Sequence, residues 1–214
     1  MIRITRAGTR VSPSRAAVAR LRREFELRHY VRLRRVLDPA LLAFVLRGIE
    51  ASEFQERTHA DIASNKELCL GKSPVVGLLH VLVNGDDLFA AVRRITGCGP
   101  IGCFDGRVYR TIPGYGHRDA WHSDAAGGHR RVAMTINLSP TVYRGGRLQI
   151  RDRSSQRTLS EIVNDGFGDA VLFRIRADLE HRITDVEGTA PKTAFAGWFQ
   201  SQPTFASLLK SVRL

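Results

Sequence analysis

The sequence predicts an α+β fold, a mainly helical front half joined to a β-rich sandwich or barrel. Two observations predict it. Capped, apolar segments of helical length crowd the first hundred residues. After Gly97, short β-branched and aromatic runs alternate with Gly, Asp and Ser turns. With 214 residues, 43% of them hydrophobic, the chain can bury one sizeable core. No internal repeat or low-complexity linker divides it. The expected organisation is a single domain over 1–214: a mainly helical support over 1–104, a β-rich core over 105–200, and a tail or short helix over 201–214.

Taken in order, Ser14 caps a helix reaching about Leu27, with Val18, Leu21 and Phe25 on its apolar side. His29 to Leu37 alternates apolar and basic residues, as a half-buried strand does. Asp38-Pro39 opens a helix through about Glu50, because Asp accepts from the first free N–H groups and Pro has none to waste. Ser73-Pro74 repeats the device for 75–84, and Asp86 or Asp87 starts a helix ending before Gly97. Strands are expected at 107–112, 119–123, 130–138, 146–151, 169–175, 181–186 and 192–200.

The formal net charge is +12, mostly from arginine and densest in residues 1–35. Such a balance leaves a nucleic-acid partner open without favouring it, since no zinc-finger, RNP-type or helix-turn-helix signature accompanies the arginines. Residues 1–23 hold seven arginines and no acid, a composition shared by organellar transit peptides and by basic arms of cytosolic proteins. Three cysteines form no disulfide framework and no zinc spacing, so a reducing, cytoplasmic setting is expected. No run reaches the ~20 apolar residues of a membrane-spanning helix; the longest, 75–83, reads as a buried element.

Residues 97–102 (GCGPIG) match G-x-G-x-x-G. That fingerprint needs a strand before it and a helix after it. Here the order is reversed, so it is a glycine-rich connection. The informative group is His122-Ser123-Asp124 with His181. Residues i and i+2 of a strand share a face, so His122 and Asp124 can point inward together, and His181 begins a later strand that can meet them. Two imidazoles and a carboxylate on one face of a metal leave positions open for other ligands, as in non-haem iron(II) sites. A lone H-x-D is weak, and a second one stands at His117–Asp119.

The surrounding residues are more specific. Pro113-Gly114 precedes Trp121-His122-Ser123-Asp124. A strand RVAMTINL follows at 131–138, then Tyr143-Arg144-Gly145-Gly146-Arg147-Leu148, then Gly168-Asp169-Ala170-Val171-Leu172-Phe173 before His181-Arg182-Ile183. Lys192 follows, six residues before Trp198. Over roughly 105–200 this order resembles the 2-oxoglutarate/iron(II) dioxygenase family, particularly its prolyl-4-hydroxylase-like branch. The helix at 38–42 (DPALL) is also similar, less specifically. The resemblance implies a double-stranded β-helix (jelly-roll) core. It implies His122, Asp124 and His181 as iron(II) ligands and catalytic centre, and Lys192 as the basic residue pairing with the far carboxylate of 2-oxoglutarate. The cofactors implied are iron(II), 2-oxoglutarate as cosubstrate and O2, with ascorbate left open.

Two departures stand out. Relatives carry a tyrosine about ten residues before the first histidine, where this chain has Ile112, so Tyr109 or Tyr115 would have to substitute. The interval from His181 to Lys192 is slightly long. Asp124 itself argues against a halogenase, in which a small residue replaces the carboxylate. The expected activity is hydroxylation of a C–H bond in a small molecule or amino acid, releasing succinate and CO2. The alternatives are a prolyl-type protein hydroxylase, a basic nucleic-acid-binding protein without catalysis, and a cupin-like metal protein indifferent to 2-oxoglutarate. Trp121 and Trp198 are expected as core or pocket-wall residues. His117 and His129 are expected in surface loops in preference to the cavity mouth, and Arg130, Arg131 and Arg147 at solvated strand ends in preference to attracting an anionic substrate. The oligomeric state is not encoded in any feature of the sequence.

Overall fold

The computed structural model describes residues 2–12, 14–59, 65–116, 120–126 and 128–211. The chain begins with a hairpin of β1 (Ile2–Thr5) and β2 (Gly8–Val11), then α1 (Arg15–Arg28), β3 (Tyr30–Leu33) and α2 (Pro39–Glu50). A second hairpin, β4 (Phe54–His59) and β5 (Asn65–Leu70), precedes α3 (Pro74–Val83) and α4 (Asp86–Thr96). The caps are those the sequence announces. Ser14 accepts from Ala17 N, Asp38 from Ala40 N and Ser73 from Val75 N, and Gly97 ends α4 in the left-handed conformation at φ 70°.

The second half supplies β6 (Cys103–Thr111), β7 (Arg130–Asn137), β8 (Arg144–Gly145), β9 (Leu148–Asp152) and β10 (Thr158–Ile162). It continues with β11 (Ala170–Arg174), β12 (Leu179–Ile183), β13 (Val186–Glu187), β14 (Lys192–Gln200) and α5 (Phe205–Ser211). A seven-stranded antiparallel sheet runs β3-β11-β7-β14-β6-β5-β4, and a three-stranded sheet β10-β9-β12 stands against it. Together they make a jelly roll with helices on the outer face of the larger sheet.

Alternation along β14 explains both layers. Phe195 and Phe199 point outward, fully buried among α3, α4 and Phe104, with ring centroids 5.4 and 4.9 Å from the Phe104 ring. Lys192, Ala194, Ala196 and Trp198 point inward, toward the smaller sheet. The space between the sheets closes at one end over Leu148, Ile150, Ile162, Val171, Phe173 and Leu179. At the other end it stays open as a cavity.

The front half departs from the sequence expectation. Helices α1 to α4 are all present, but β3, β4 and β5 belong to the main sheet and β1–β2 form their own hairpin. The support holds more helix than strand, but its strands widen the main sheet that the helices cover. The β4–β5 pair (FQERTH and NKELCL) is hard to see in sequence because, at the sheet edge, it carries polar residues on both faces. β10 was likewise not expected. The expected 119–123 strand reduces, among the described residues, to a single bridge between His122 and His181, and the 181–186 strand splits into β12 and β13. His181 therefore sits in the middle of β12 rather than at its start.

No single helix is long and apolar enough to cross a membrane; α3 and α4 together have the composition, but they bend by 59° and carry buried core residues.

Candidate metal centre in the jelly-roll cavity

A cavity of about 500 Å³ opens between the sheets, and His122, Asp124, His181, Lys192 and Trp198 all line it. His122 and His181 are joined through their backbones, His181 N to His122 O at 2.9 Å and His122 N to His181 O at 3.1 Å. This bridge brings residues far apart in sequence side by side, with imidazole centroids 4.3 Å apart. Asp124 completes the group, its Oδ2 3.3 Å from His181 Nε2 and its Oδ1 3.9 Å from His122 Nε2. One donor atom from each of the three lies within 4.8 Å of the other two.

The surroundings orient these donors. His122 Nδ1 lies 2.8 Å from the Ala120 carbonyl, which can only accept, so Nδ1 carries a proton and Nε2 is the nitrogen turned toward Asp124. Phe173 stands edge-on to His181 at 4.9 Å. Both oxygens of Asp124 are held. Trp198 Nε1 donates to Oδ2 at 2.5 Å, and Arg130 Nη1 donates to Oδ1 at 2.8 Å. The Arg130 guanidinium also stacks 3.7 Å from the centre of the Trp198 ring.

Burial pushes the Asp124 carboxyl up. Hydrogen bonding and charge from His181, the bond from Trp198 and the charge of His122 outweigh it and hold the group at about 2. It is a permanent anion at neutral pH, set between two imidazoles. That donor set suits a divalent first-row metal such as iron(II), and the cavity leaves room for further ligands.

Lys192 is 9% exposed, and its Nζ donates to the Gly146 carbonyl at 2.6 Å. Gly146 has φ 57°, and a Cβ there would lie 2.9 Å from Lys192 Cδ, so the second glycine of Tyr143–Leu148 lets the lysine through. Of the two tyrosines offered in place of Ile112, Tyr109 lines the cavity and Tyr115 is 68% exposed. Burial, then the neighbouring Glu67 carboxylate, raise the Tyr109 phenol and keep it protonated.

Arg130 corrects the sequence expectation. It is not a solvated strand end; it binds Asp124, and only the closure of β7 against β14 shows this. Trp198 is a pocket-wall residue, as expected, with a hydrogen bond the sequence did not foretell. Trp121 lies between Arg151 and Arg182, 4.3 and 4.7 Å away, and Arg147 pairs with Glu161. His129 meets Gln202 outside the cavity. The second H-x-D, His117 to Asp119, lies outside the described residues. Asp105 and Arg107, also on the cavity wall, were missed, although period-two alternation with Tyr109 was available as a signal.

Two imidazoles and a carboxylate converging inside a jelly roll define the facial-triad class of non-haem metal proteins. Residues 107–200 match the model of the 2OG-Fe(II) oxygenase superfamily. Among solved structures it is similar to an oxidoreductase of the 2OG-Fe(II) oxygenase family from Burkholderia pseudomallei. The TM-score is 0.67 at 12% identity, covering 95% of this chain and 98% of that one. It is also similar to a Pseudomonas putida prolyl-4-hydroxylase (TM-score 0.61, 16% identity, 86% and 99% covered). The carbocyclase SnoK from nogalamycin biosynthesis, described as non-heme and alpha-ketoglutarate-dependent, gives 0.63 at 14% identity, with 94% and 92% covered. At such identities these likenesses speak for the fold. No curated protein sequence gives a match. The enzyme is thus a 2-oxoglutarate- and iron(II)-dependent oxygenase, using iron(II), 2-oxoglutarate and O2.

Proposed function

We propose that His122, Asp124 and His181 are the iron(II) ligands, and that Lys192 anchors the far carboxylate of 2-oxoglutarate. The substrate is a small molecule or an amino acid, hydroxylated at a C–H bond. The observation carrying this reading is the convergence of three donor atoms within 4.8 Å on the wall of one cavity that a buried lysine also lines. Bound there, iron(II) supplies the oxidising chemistry: one atom of O2 ends in succinate, the other in the hydroxylated product, and CO2 leaves.

The chain's own part is geometry. Arg130 and Trp198 fix both oxygens of Asp124, so the carboxylate presents one lone-pair direction rather than swinging to chelate. Lys192, held against Gly146, offers a compact cation to a dicarboxylate in a part of the cavity where an unpaired charge would be costly. Leu148, Phe173 and Ile183 keep the inner wall apolar. Three free cysteines, two of them buried, suit a reducing compartment such as the cytoplasm.

The test is anaerobic titration of iron(II) and 2-oxoglutarate into the metal-free protein, following the visible charge-transfer band of the chelate. A band that forms in the parent and is lost in His122→Ala and Asp124→Ala supports the reading. Iron binding without a band would point to a cupin-like centre instead, and no iron binding would sink the proposal.

A further inference from the structure

The cavity wall beside the metal centre carries a pair of opposite charges that the mechanism does not use. On β6, Asp105, Arg107 and Tyr109 alternate onto the cavity side, each paired across to an inward residue of β14. Asp105 stands opposite Trp198, whose indole holds Asp124, and Arg107 stands opposite Ala196, one inward position further along. Both charged side chains are exposed and line the cavity, and the β14 residue beside Arg107, Ala196, is small, as is Ala194 one inward position further on. Beside Arg107 the floor is therefore low, while Trp198 walls it on the Asp105 side next to Asp124.

The other cations of the cavity are engaged. Arg130 is bonded to Asp124, Lys192 to Gly146, and Arg110 stacks 4.1 Å from the Phe54 ring with Glu50 3.8 Å away. Among the described residues, Arg107 belongs to no ion pair; Asp105 has only a long, 3.5 Å hydrogen bond from Gln200. Two residues apart on one strand face, their Cα atoms lie roughly 7 Å from each other. That spacing suits a ligand bearing an ammonium and a carboxylate on the same carbon: its short N–C–C–O span plus two charge-assisted hydrogen bonds of roughly 2.8 Å each bridges the gap.

We propose that Arg107 and Asp105 form a recognition site for the head group of a free α-amino acid. The guanidinium takes the α-carboxylate and the Asp105 carboxylate takes the α-ammonium. The amino-acid side chain then runs over Ala196 toward the metal centre. This rests on the iron and 2-oxoglutarate reading above and narrows its substrate to a zwitterion. A residue inside a peptide has amides in place of both charges and leaves Arg107 and Asp105 without partners. The head group also sits apart from Lys192, which pairs with β6 at Thr111, so substrate and cosubstrate carboxylates do not compete.

The test is succinate release from the iron(II)-loaded enzyme with 2-oxoglutarate and each proteinogenic amino acid in turn, offered free, N-acetylated, and as its amide. At least one free amino acid should accelerate release, with each blocked form losing at least about tenfold in kcat/KM. Arg107→Gln should lose a similar factor on the free amino acid and nothing further on its amide. Asp105→Asn should do the same for the N-acetyl form. A loss equal on free and blocked substrates would mark a merely structural role and overturn the assignment, as would blocked forms that react as well as free ones. The charge-transfer band of the parent enzyme is recorded first. A band with no response to any free amino acid overturns this inference alone; no band overturns it together with the reading beneath it.

Discussion

Trp198 donates its indole N–H to Asp124 Oδ2 at 2.5 Å, across 74 residues of sequence. The bond ties a carboxylate in an irregular loop to the central strand pair of the main sheet, and so transfers the rigidity of β14 to the metal centre. Trp198→Phe keeps the ring under Arg130 and removes only the donor. The apparent dissociation constant for iron(II) or cobalt(II) should rise about tenfold or more, within the 10–100-fold range usual for partners of a ligand. Isothermal titration of the metal-free protein measures it, and an unchanged constant would mean that the loop holds Asp124 unaided.

Arg130 holds the other oxygen and stacks on the same indole. In Arg130→Met the apolar stem remains but the charge-assisted bond is gone, and Asp124 Oδ1 becomes free to turn. Metal affinity should fall by a similar factor. Arg130→Lys should restore only part of it, since an ammonium can pair with the carboxylate but cannot stack as a plane. Full recovery with lysine would show that only the charge matters.

Lys192→Ala should leave iron binding intact and weaken 2-oxoglutarate by about 10–100-fold, the worth of one charge-assisted hydrogen bond of roughly 1.5–3 kcal/mol. The charge-transfer band, titrated with 2-oxoglutarate at fixed iron(II), reports the shift directly. The same midpoint in parent and variant would remove Lys192 from the cosubstrate site.

Gly197 permits the close approach of β14 to β6, because a Cβ there would collide with the Asp105 carbonyl and the Gly106 Cα. Both collisions are with backbone, which cannot rotate away. Gly197→Ala should cost about 1–3 kcal/mol of stability in urea unfolding, with activity falling because Asp105 and Trp198 shift with the strands. A variant as stable as the parent would mean that the two strands separate at little cost.

Much of the fold was legible because local chemistry forced it. Ser14, Asp38 and Ser73 accept hydrogen bonds that any helix start requires, and Gly97 takes a backbone angle that other residues resist. The strands at 130–137, 170–174 and 192–200 declare themselves by being apolar on both faces, the mark of a central strand buried between layers. The β4–β5 hairpin does not, since an edge strand needs no apolar face; its pairing follows from where β6 lies, which its own residues do not state.

The candidate site divides in the same way. The residue types and order of His122, Asp124, His181 and Lys192 are written in the sequence, because ligand atoms and the glycines that make room for them admit few substitutes. The engagement of Arg130 and Trp198 with Asp124, the choice of Tyr109 over Tyr115 for the cavity, and the exposure of Asp105 and Arg107 on its wall are not. Each depends on which strands become neighbours and on the register at which they meet. A change of one residue in that register would turn every such side chain to the opposite face. By itself the sequence determined the candidate donors and their order along the chain, but not the loop that carries His122 and Asp124. The tertiary structure alone decided their partners, because hydrogen bonds and stacking contacts require distances that chain order does not fix.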